Sequence, residues 1–346
     1  MKILYLTPWY PSPKDAMSGL FVQKHAESVR AQGCEVRVIF SQTWHDTWRQ
    51  WCAIRREGWM PDVVQLNVIQ KQGLLALWLM IRYHIPYVII EHWSGYLPEN
   101  GQFLRMSKFK QSLYTLIAAK AAALLTVSDR QAQAMQACGI KNRHWDRIDN
   151  IVDDFFQKSS VKPFPVENHT KTLLHVSCFD ERAKNVTGLL RAAKILSEKR
   201  QDWKLVLVGK GVDYPKVRAY AETLHFPEGL LEWTGELTPE EVANQMHHAD
   251  AFVLSSRYET YGVVLAEAAE AGVPILSTPV GIAEEVADLI VPLEIAQNKP
   301  GRFAEFIETI LWKDVRNSDR IQQTDRFTAA AIGKKLKDLY EQVQTR

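Results

Sequence analysis

Short, almost wholly apolar runs alternate with longer mixed segments along most of this chain. The runs fall at residues 3–6, 36–40, 63–66, 87–90 and 124–127, then at 173–176, 205–208, 231–233, 252–254, 275–276 and 289–291. Runs this short, without polar alternation, predict strands buried on both faces. The segments between them predict helices, although the one after Phe40 is ambiguous. Together they describe a parallel sheet covered on both sides. The rhythm breaks once, at residues 157–170, which are polar and contain Pro163 and Pro165, a linker composition. The expected architecture is α/β, with two doubly wound domains at 1–156 and 171–328 joined by a linker at 157–170. Residues 329–346 form a basic amphipathic helix that packs back on the first domain or on the second. Two such domains are expected to face each other across a cleft at the carboxyl ends of their strands, where ligands of such sheets bind.

Length and composition narrow the function. A chain of 346 residues is long for one core, which agrees with two domains. Hydrophobic residues make up 46% and charged residues 24%, ordinary for a globular protein. A net charge of only +2 disfavours a nucleic-acid partner. Cys34, Cys52, Cys138 and Cys178 are scattered, without zinc spacing, and read as free thiols. The apolar start ends at Pro8, too early for a signal peptide, and the stretch 74–90 is interrupted by Arg82, His84 and Pro86. A cytoplasmic location is expected by default.

The most informative stretch is Ser256 through Glu267. An apolar run precedes it, a Tyr261-Gly262 step lies within it, and an Ala-rich helix follows. A strand, a tight turn and a helix start make an anion site, because free backbone N–H groups and the helix dipole point the same way. Glu259 lies in the turn and Glu267 two turns into the helix, so both carboxylates are available to sugar hydroxyls. Singly, each glutamate is more often a solvated helix former.

Other candidates follow strands. Gly209-Lys210-Gly211 follows 205–208, but the third glycine of a dinucleotide fingerprint is missing, and a plain strand-to-helix connection is the commoner meaning. The loop Thr7–Gly19 also lacks that fingerprint, which counts against a nicotinamide dehydrogenase. Arg182 and Lys184 precede Asn185, a candidate N-cap; cations there oppose the helix dipole unless an anionic ligand is present, the alternative being a solvated charged loop. His92 follows 87–90 and is suited to a sugar hydroxyl or to proton transfer, or else is a satisfied interface histidine. No Asp-x-Asp pair occurs, so the charge of a leaving group falls to Arg, Lys and backbone amides. Trp44, Trp48, Trp51 and Trp59 with Arg49, Arg55 and Arg56 are compatible with a lipid headgroup surface; a helix packed on the sheet with its Trp inside is preferred.

These residues resemble glycosyltransferase family 4, the retaining group with the GT-B fold. Glu259 through Ala268 is similar to the family's Glu-x7-Glu signature, and Gly272-Val273-Pro274 through Gly281 to its Gly-x-Pro strand and glycine turn. Thr234-Gly235-Glu236-Leu237 resembles the turn beside the base. His175 through Asn185 resembles the strand and loop bearing diphosphate-binding cations, with Cys178 where an arginine is usual and Arg182 the expected substitute. Gly19, His92 and Asn150-Ile151-Val152-Asp153 match first-domain features, with Ser18-Gly19 in place of a glycine pair.

The resemblance implies a hexosyltransferase-type enzyme that moves a sugar from a nucleotide donor, a UDP- or GDP-sugar, with retention and without metal or other cofactor. The acceptor is a glycan or lipid-linked oligosaccharide of a cell-surface polysaccharide pathway, with peripheral contact at the inner membrane face compatible. Glu259, His92 and Lys184 are the expected catalytic residues. Gly19, Arg182, Lys184, Gly209, Gly235, Leu237, Glu259, Thr260, Tyr261, Gly262 and Glu267 are expected to bind the donor. A nucleotide-sugar epimerase on the same fold and a non-catalytic sugar-nucleotide-binding protein remain as alternatives.

Overall fold

The computed structural model describes residues 1–13, 15, 17–157, 170–313, 315 and 325–345. The expected linker, 157–170, lies outside the described residues except for Gln157 and Thr170. The chain divides into two units, Met1–Ile151 with Asp325–Arg346, and Val152–Thr324.

The first unit holds strands β1 (Lys2–Thr7), β2 (Glu35–Phe40), β3 (Val63–Asn67), β4 (Tyr87–Glu91), β5 (Ala123–Thr126) and β6 (Trp145–Arg147). Its helices are α1 (Leu20–Ala31), α2 (Trp44–Arg56), α3 (Gly73–Tyr83), α4 (Lys108–Lys120) and α5 (Asp129–Ala137). The second unit holds β7 (Lys171–Val176), β8 (Trp203–Val208), β9 (Leu231–Gly235), β10 (Ala251–Leu254), β11 (Ile275–Ser277) and β12 (Leu289–Ile290). Around them lie α6 (Glu181–Lys184), α7 (Val186–Lys199), α8 (Tyr214–Thr223), α9 (Pro239–His248), α10 (Val263–Glu270), α11 (Ala283–Val286), α12 (Leu293–Asn298) and α13 (Pro300–Trp312). The last helix, α14 (Ala329–Gln344), belongs to the first unit.

Both sheets are parallel throughout. The first runs β2-β1-β3-β4-β5-β6 and the second β12-β11-β10-β7-β8-β9. Every residue of β3, β4, β5 and β10 is buried, as the apolar runs require. β6 is the strand that no apolar run announced. Trp145-Asp146-Arg147 sits at an open edge, where one face of polar residues is tolerated.

In the second sheet the strand order reverses between β7 and β10, and in the first between β1 and β3. At such reversals the loops beyond the carboxyl ends diverge and leave a crevice for ligand.

Helix α14 is held to the first unit through its core. Tyr340 is buried and donates to the side chain of Gln65 in β3, and its hydroxyl lies 3.0 Å from that of Tyr5 in β1. A Cβ at Gly333 would lie 2.6 Å from the carbonyl oxygen of Ser28, so glycine lets α14 lie against α1. The ambiguous segment after Phe40 is helix α2, whose N-cap Thr43 accepts from the Asp46 amide. Trp51 and Trp59 are buried, but Trp44 and Trp48 are more than a third exposed, so the Trp-rich segment is only half interior.

Candidate active site

The strongest assembly of predicted residues sits at the β7/β10 reversal. After β10 the chain passes through Ser255 and Ser256, both fully buried, to Glu259 and then to Gly262, the N-cap of α10. Gly262 adopts φ +77°, a left-handed conformation that costs a residue with a Cβ. The turn packs on the loop after β11. The Ile282 amide donates to the Tyr261 carbonyl at 3.0 Å, and a Cβ at Gly281 would fall 2.0 Å from that oxygen. Glycine is therefore required at 281, and it fixes the peptide that opens α10. The Leu265 amide donates back to the Gly262 carbonyl at 2.8 Å, and the amides of residues 262–264 precede any carbonyl that the helix could offer them.

Beside this turn lies the loop after β7. The sequence suggested a charged loop capped by Asn185. Instead residues 181–184 form one helical turn, α6, whose N-cap Asp180 accepts from the Arg182 amide at 3.1 Å. Arg182 and Lys184 are thus within a helical turn, not ahead of one. Asn185 does precede α7, but in a left-handed conformation and with no side-chain cap. Its amide donates to the Ala296 carbonyl and its oxygen accepts from Arg257 at 2.8 Å. Glu181 supplies the cap, accepting from the Thr187 amide and hydroxyl.

Arg257 fastens the two loops together. Its guanidinium donates to the Glu181 carbonyl and to Asn185, and its own amide donates to the Ala183 carbonyl at 2.6 Å. Ser255 adds a hydroxyl donor to the Lys184 carbonyl at 3.0 Å. So anchored, α6 directs Lys184 at Glu259. The ammonium lies 2.5 Å from Oε1 of Glu259, and both side chains are 14% exposed. Ser256 donates to the same oxygen at 2.7 Å. Burial pulls the Lys184 ammonium down, but the adjacent Glu259 carboxylate together with Cys178 and Asp180 outweighs it and leaves the group above the usual lysine range. Lys184, Glu259 and the start of α10 are thus brought together, 75 residues apart in sequence. Glu267 lies further along α10, half-buried.

Gly209 and Gly211 face the same loop. A Cβ at Gly209 would meet the Ser177 carbonyl oxygen at 2.1 Å, and one at Gly211 would meet the Phe179 amide nitrogen at 2.5 Å. Both let the β8 loop lie against the β7 loop. Gly235, at the end of the edge strand β9, accepts from the Gly209 amide at 2.6 Å, and Leu237 follows half-buried.

In the first unit, Gly19 is the N-cap of α1 at φ +69°, and a Cβ there would lie 2.3 Å from the Trp9 carbonyl carbon. His92 is buried after β4. Its Nε2 has no hydrogen-bond partner among the described residues. The Phe21 ring lies 4.2 Å from the His92 ring and the His25 ring 6.0 Å from it. Burial, then the neighbouring His25, holds His92 well below the ordinary histidine range, so it is neutral. Glu91 fixes the turn beneath it, accepting from the amides of Ile69, His92 and Trp93. Its burial pushes the carboxyl up to about 7. Sequence reasoning assigned no role to Arg257, Ser256, Phe21 or His25. Phe21 and His25 fall on successive turns of α1, the one signal that they share a face.

The profile described as Glycosyltransferase Family 4 matches residues 6–154, and that described as glycosyl transferases group 1 matches residues 157–326. The chain belongs to glycosyltransferase family 4. Among its family relatives, the lipopolysaccharide 1,6-galactosyltransferase of Escherichia coli K12 is 29% identical over 201 residues, 57% of this chain and 54% of the relative. The N-acetyl-alpha-D-glucosaminyl L-malate synthase of Bacillus anthracis is 31% identical over 151 residues, 42% of this chain and 38% of the relative. The chain thus spans about half, or less, of the length of these curated relatives. The solved structure of Anabaena Alr3699/HepE in complex with UDP and glucose matches with a TM-score of 0.74 and 17% identity, covering 99% of this chain and all of that one. That likeness gives the fold, GT-B, with its two six-stranded parallel sheets.

Proposed function

We propose that this chain is a retaining, metal-independent glycosyltransferase. It moves a sugar from a nucleoside-diphosphate donor to a hydroxyl of a glycan or lipid-linked acceptor in polysaccharide or lipid glycosylation. The observation that carries the reading is the Lys184–Glu259 pair at the β7/β10 reversal, against the start of α10. A diphosphate at that helix start meets first-turn amides and the positive end of the helix dipole, with Lys184 as the adjacent cation.

In this reading the amides of Thr260–Gly262 and Lys184, with Arg182, hold the diphosphate, and Lys184 stabilises the charge that develops as it departs. Glu267 takes the ribose hydroxyls, and Glu259 takes hydroxyls of the donor sugar. The turn at Gly235 and Leu237 lies beside the base, and Gly209 shapes the neighbouring loop. His92 is neutral, with a free Nε2, and is suited to a hydrogen bond with the sugar or acceptor; Gly19 is assigned to donor binding by the family resemblance. The Anabaena complex contains UDP, so UDP-sugars head the list of donors, followed by GDP-sugars.

A thermal-shift screen against UDP-, GDP-, ADP- and CMP-sugars identifies the donor, since a ligand of the native state raises the melting temperature. Turnover with that donor is then compared for the native chain and Lys184→Ala, with and without EDTA. Unchanged turnover in Lys184→Ala would remove the phosphate role, and loss of native turnover in EDTA would remove metal independence.

A further inference from the structure

A run of buried polar side chains crosses the first unit on the sheet face covered by α1 and α14. Tyr5 and Gln65 stand side by side in the β1–β3 register, and Asn67, two residues beyond Gln65, points to the same face. The Tyr5 hydroxyl lies 3.0 Å from that of Tyr340, Tyr340 donates to Oε1 of Gln65, and Nε2 of Gln65 donates to Oδ1 of Asn67 at 2.9 Å. Tyr340 directs its one proton to Gln65, so Tyr5 is the donor to Tyr340 and every bond in the run points the same way. The run ends on an N–H donor. Nδ2 of Asn67 is buried and has no acceptor among the described residues.

Two buried acceptors stand on the same face. Asn67 pairs with Ile90 of β4, and His92 follows Ile90 by two residues, against Phe21 of α1. The His25 ring, also on α1, lies 6.0 Å from the His92 ring. Burial holds both histidines below the ordinary range, His25 at about 4, so each is neutral. Nε2 of His25 lies 3.2 Å from the Asp149 carbonyl, which can only accept, so that nitrogen carries the proton and Nδ1 is a bare lone pair. Nδ1 of His25 and Nε2 of His92 are both buried without a partner among the described residues. They do not satisfy each other. Even aimed straight at one another, nitrogens of rings 6.0 Å apart stay more than about 3.5 Å apart, too long for a hydrogen bond. Buried polar atoms left in this state are costly, and a water suits a polar site with three partners.

We propose that one buried water joins Asn67, His25 and His92, and that His25 and Asn67 thereby hold His92 as its Nδ1–H tautomer. The water accepts from Nδ2 of Asn67 and donates one proton to each bare ring nitrogen, which satisfies all three atoms. A neutral imidazole whose Nε2 accepts carries its proton on Nδ1. His92 keeps 7% exposure, and Nδ1, which has no hydrogen bond among the described residues yet is not buried, is the nitrogen that solvent reaches. His92 therefore presents an N–H donor, suited to a sugar or acceptor oxygen, and not a base. That role rests on the proposed function; the tautomer does not. His25 and Asn67 are positioning residues: Glu91 fixes the His92 backbone, and they fix the ring.

The test reads the tautomer directly, in proton–nitrogen correlation spectra of the full chain with isotope-labelled histidine rings near neutral pH. The His92 signals are assigned by their loss in His92→Gln. The native chain is expected to show His92 with its proton on Nδ1 and a bare Nε2, and His25 the reverse. A proton on Nε2 of His92, or exchange between both forms, overturns the inference. His25→Phe keeps the bulk of the ring and removes the acceptor; Asn67→Leu removes the donor. Each is expected to turn His92 into a mixture of tautomers and to lower kcat with the donor found in the screen about tenfold or more, while the donor still raises the melting temperature. His25→Asn keeps an acceptor where Nδ1 stands and is expected to recover most of kcat. A lower kcat with unchanged His92 signals would leave His25 a packing role only and overturns the inference as well. Should a variant fail to fold, the native spectrum still decides. The expected tautomers with a failed donor screen would count against the catalytic reading alone.

Discussion

Removing the Lys184 charge while keeping its bulk, as in Lys184→Met, separates stability from catalysis. Two unit charges about 4 Å apart attract by about 4 kcal/mol at an effective dielectric near 20, and the desolvation of both ions offsets much of that. Breaking a buried pair on one side costs about 3–5 kcal/mol, because the remaining charge stays buried. Here both side chains keep 14% exposure, and Ser256 still donates to Glu259, so a cost at or just below that range, about 2–3 kcal/mol, is expected. For a unit the size of Val152–Thr324 this is a fall of roughly 5–10 °C in melting temperature. Lys184→Met/Glu259→Gln removes both charges and is expected to recover most of that loss. Turnover behaves differently. Loss of a group that stabilises a departing diphosphate costs about 10²–10³ in rate, and the double variant recovers none of it. Calorimetry and steady-state rates with the donor found in the screen check both halves. A double variant as unstable as Lys184→Met would refute the account of the ion pair, and one that regains turnover would refute the role in the reaction.

Four further outcomes follow from the structure. Gly281→Ala puts a Cβ 2.0 Å from the Tyr261 carbonyl oxygen at φ +53°, so it is expected to cost at least about 1–2 kcal/mol and to raise the donor KM; an unchanged melting temperature speaks against the fixed peptide at the start of α10. Arg257→Ala frees α6 from the β10 loop and is expected to lower kcat/KM about tenfold or more through misplacement of Lys184, while Arg257→Lys recovers little, because one ammonium cannot span the Glu181 carbonyl and Asn185; wild-type kinetics in Arg257→Ala would count against the latch. His175 is held at about 4 by burial, against 6.5 when unfolded, so the unfolded state takes the proton first and stability is lost as pH falls from about 6.5 towards 4, by about 3 kcal/mol at most; urea midpoints of the second unit against pH should slope this way and flatten in His175→Gln, and a flat native profile disproves it. Glu91 carries the opposite sign: with its carboxyl raised to about 7, its contribution is present at low pH and lost as pH rises through 7.

The apolar runs alone located eleven of the twelve strands among the described residues, because a parallel strand buried on both faces leaves little room for polar residues. β6 escaped because an edge strand of three residues, Trp145-Asp146-Arg147, is under no such demand. Signature residues around Glu259 were legible because the Tyr261-Gly262 step and the glycine at 281 answer local backbone needs. The one-turn helix α6 was not legible. Four residues carry no period, and α6 stands because Arg257, 75 residues away in sequence, holds its carbonyls. The Trp-rich segment was half legible: the expected helix with its Trp inside holds for Trp51, but the exposure of Trp48 depends on where Trp78 of α3 lies against it.

The sequence by itself determined the α/β class, most of the strands and the chemical types available to a donor site, since these follow from local burial and local turn geometry. Tertiary structure decided which of those residues meet. Strand order put the β7 and β10 loops side by side, brought Lys184 onto Glu259, set Phe21 and His25 against His92, and laid Trp48 of α2 against Trp78 of α3. Each of these is a contact between segments far apart in the chain, and such contacts are set by the packing of whole elements, which no local pattern of residues encodes.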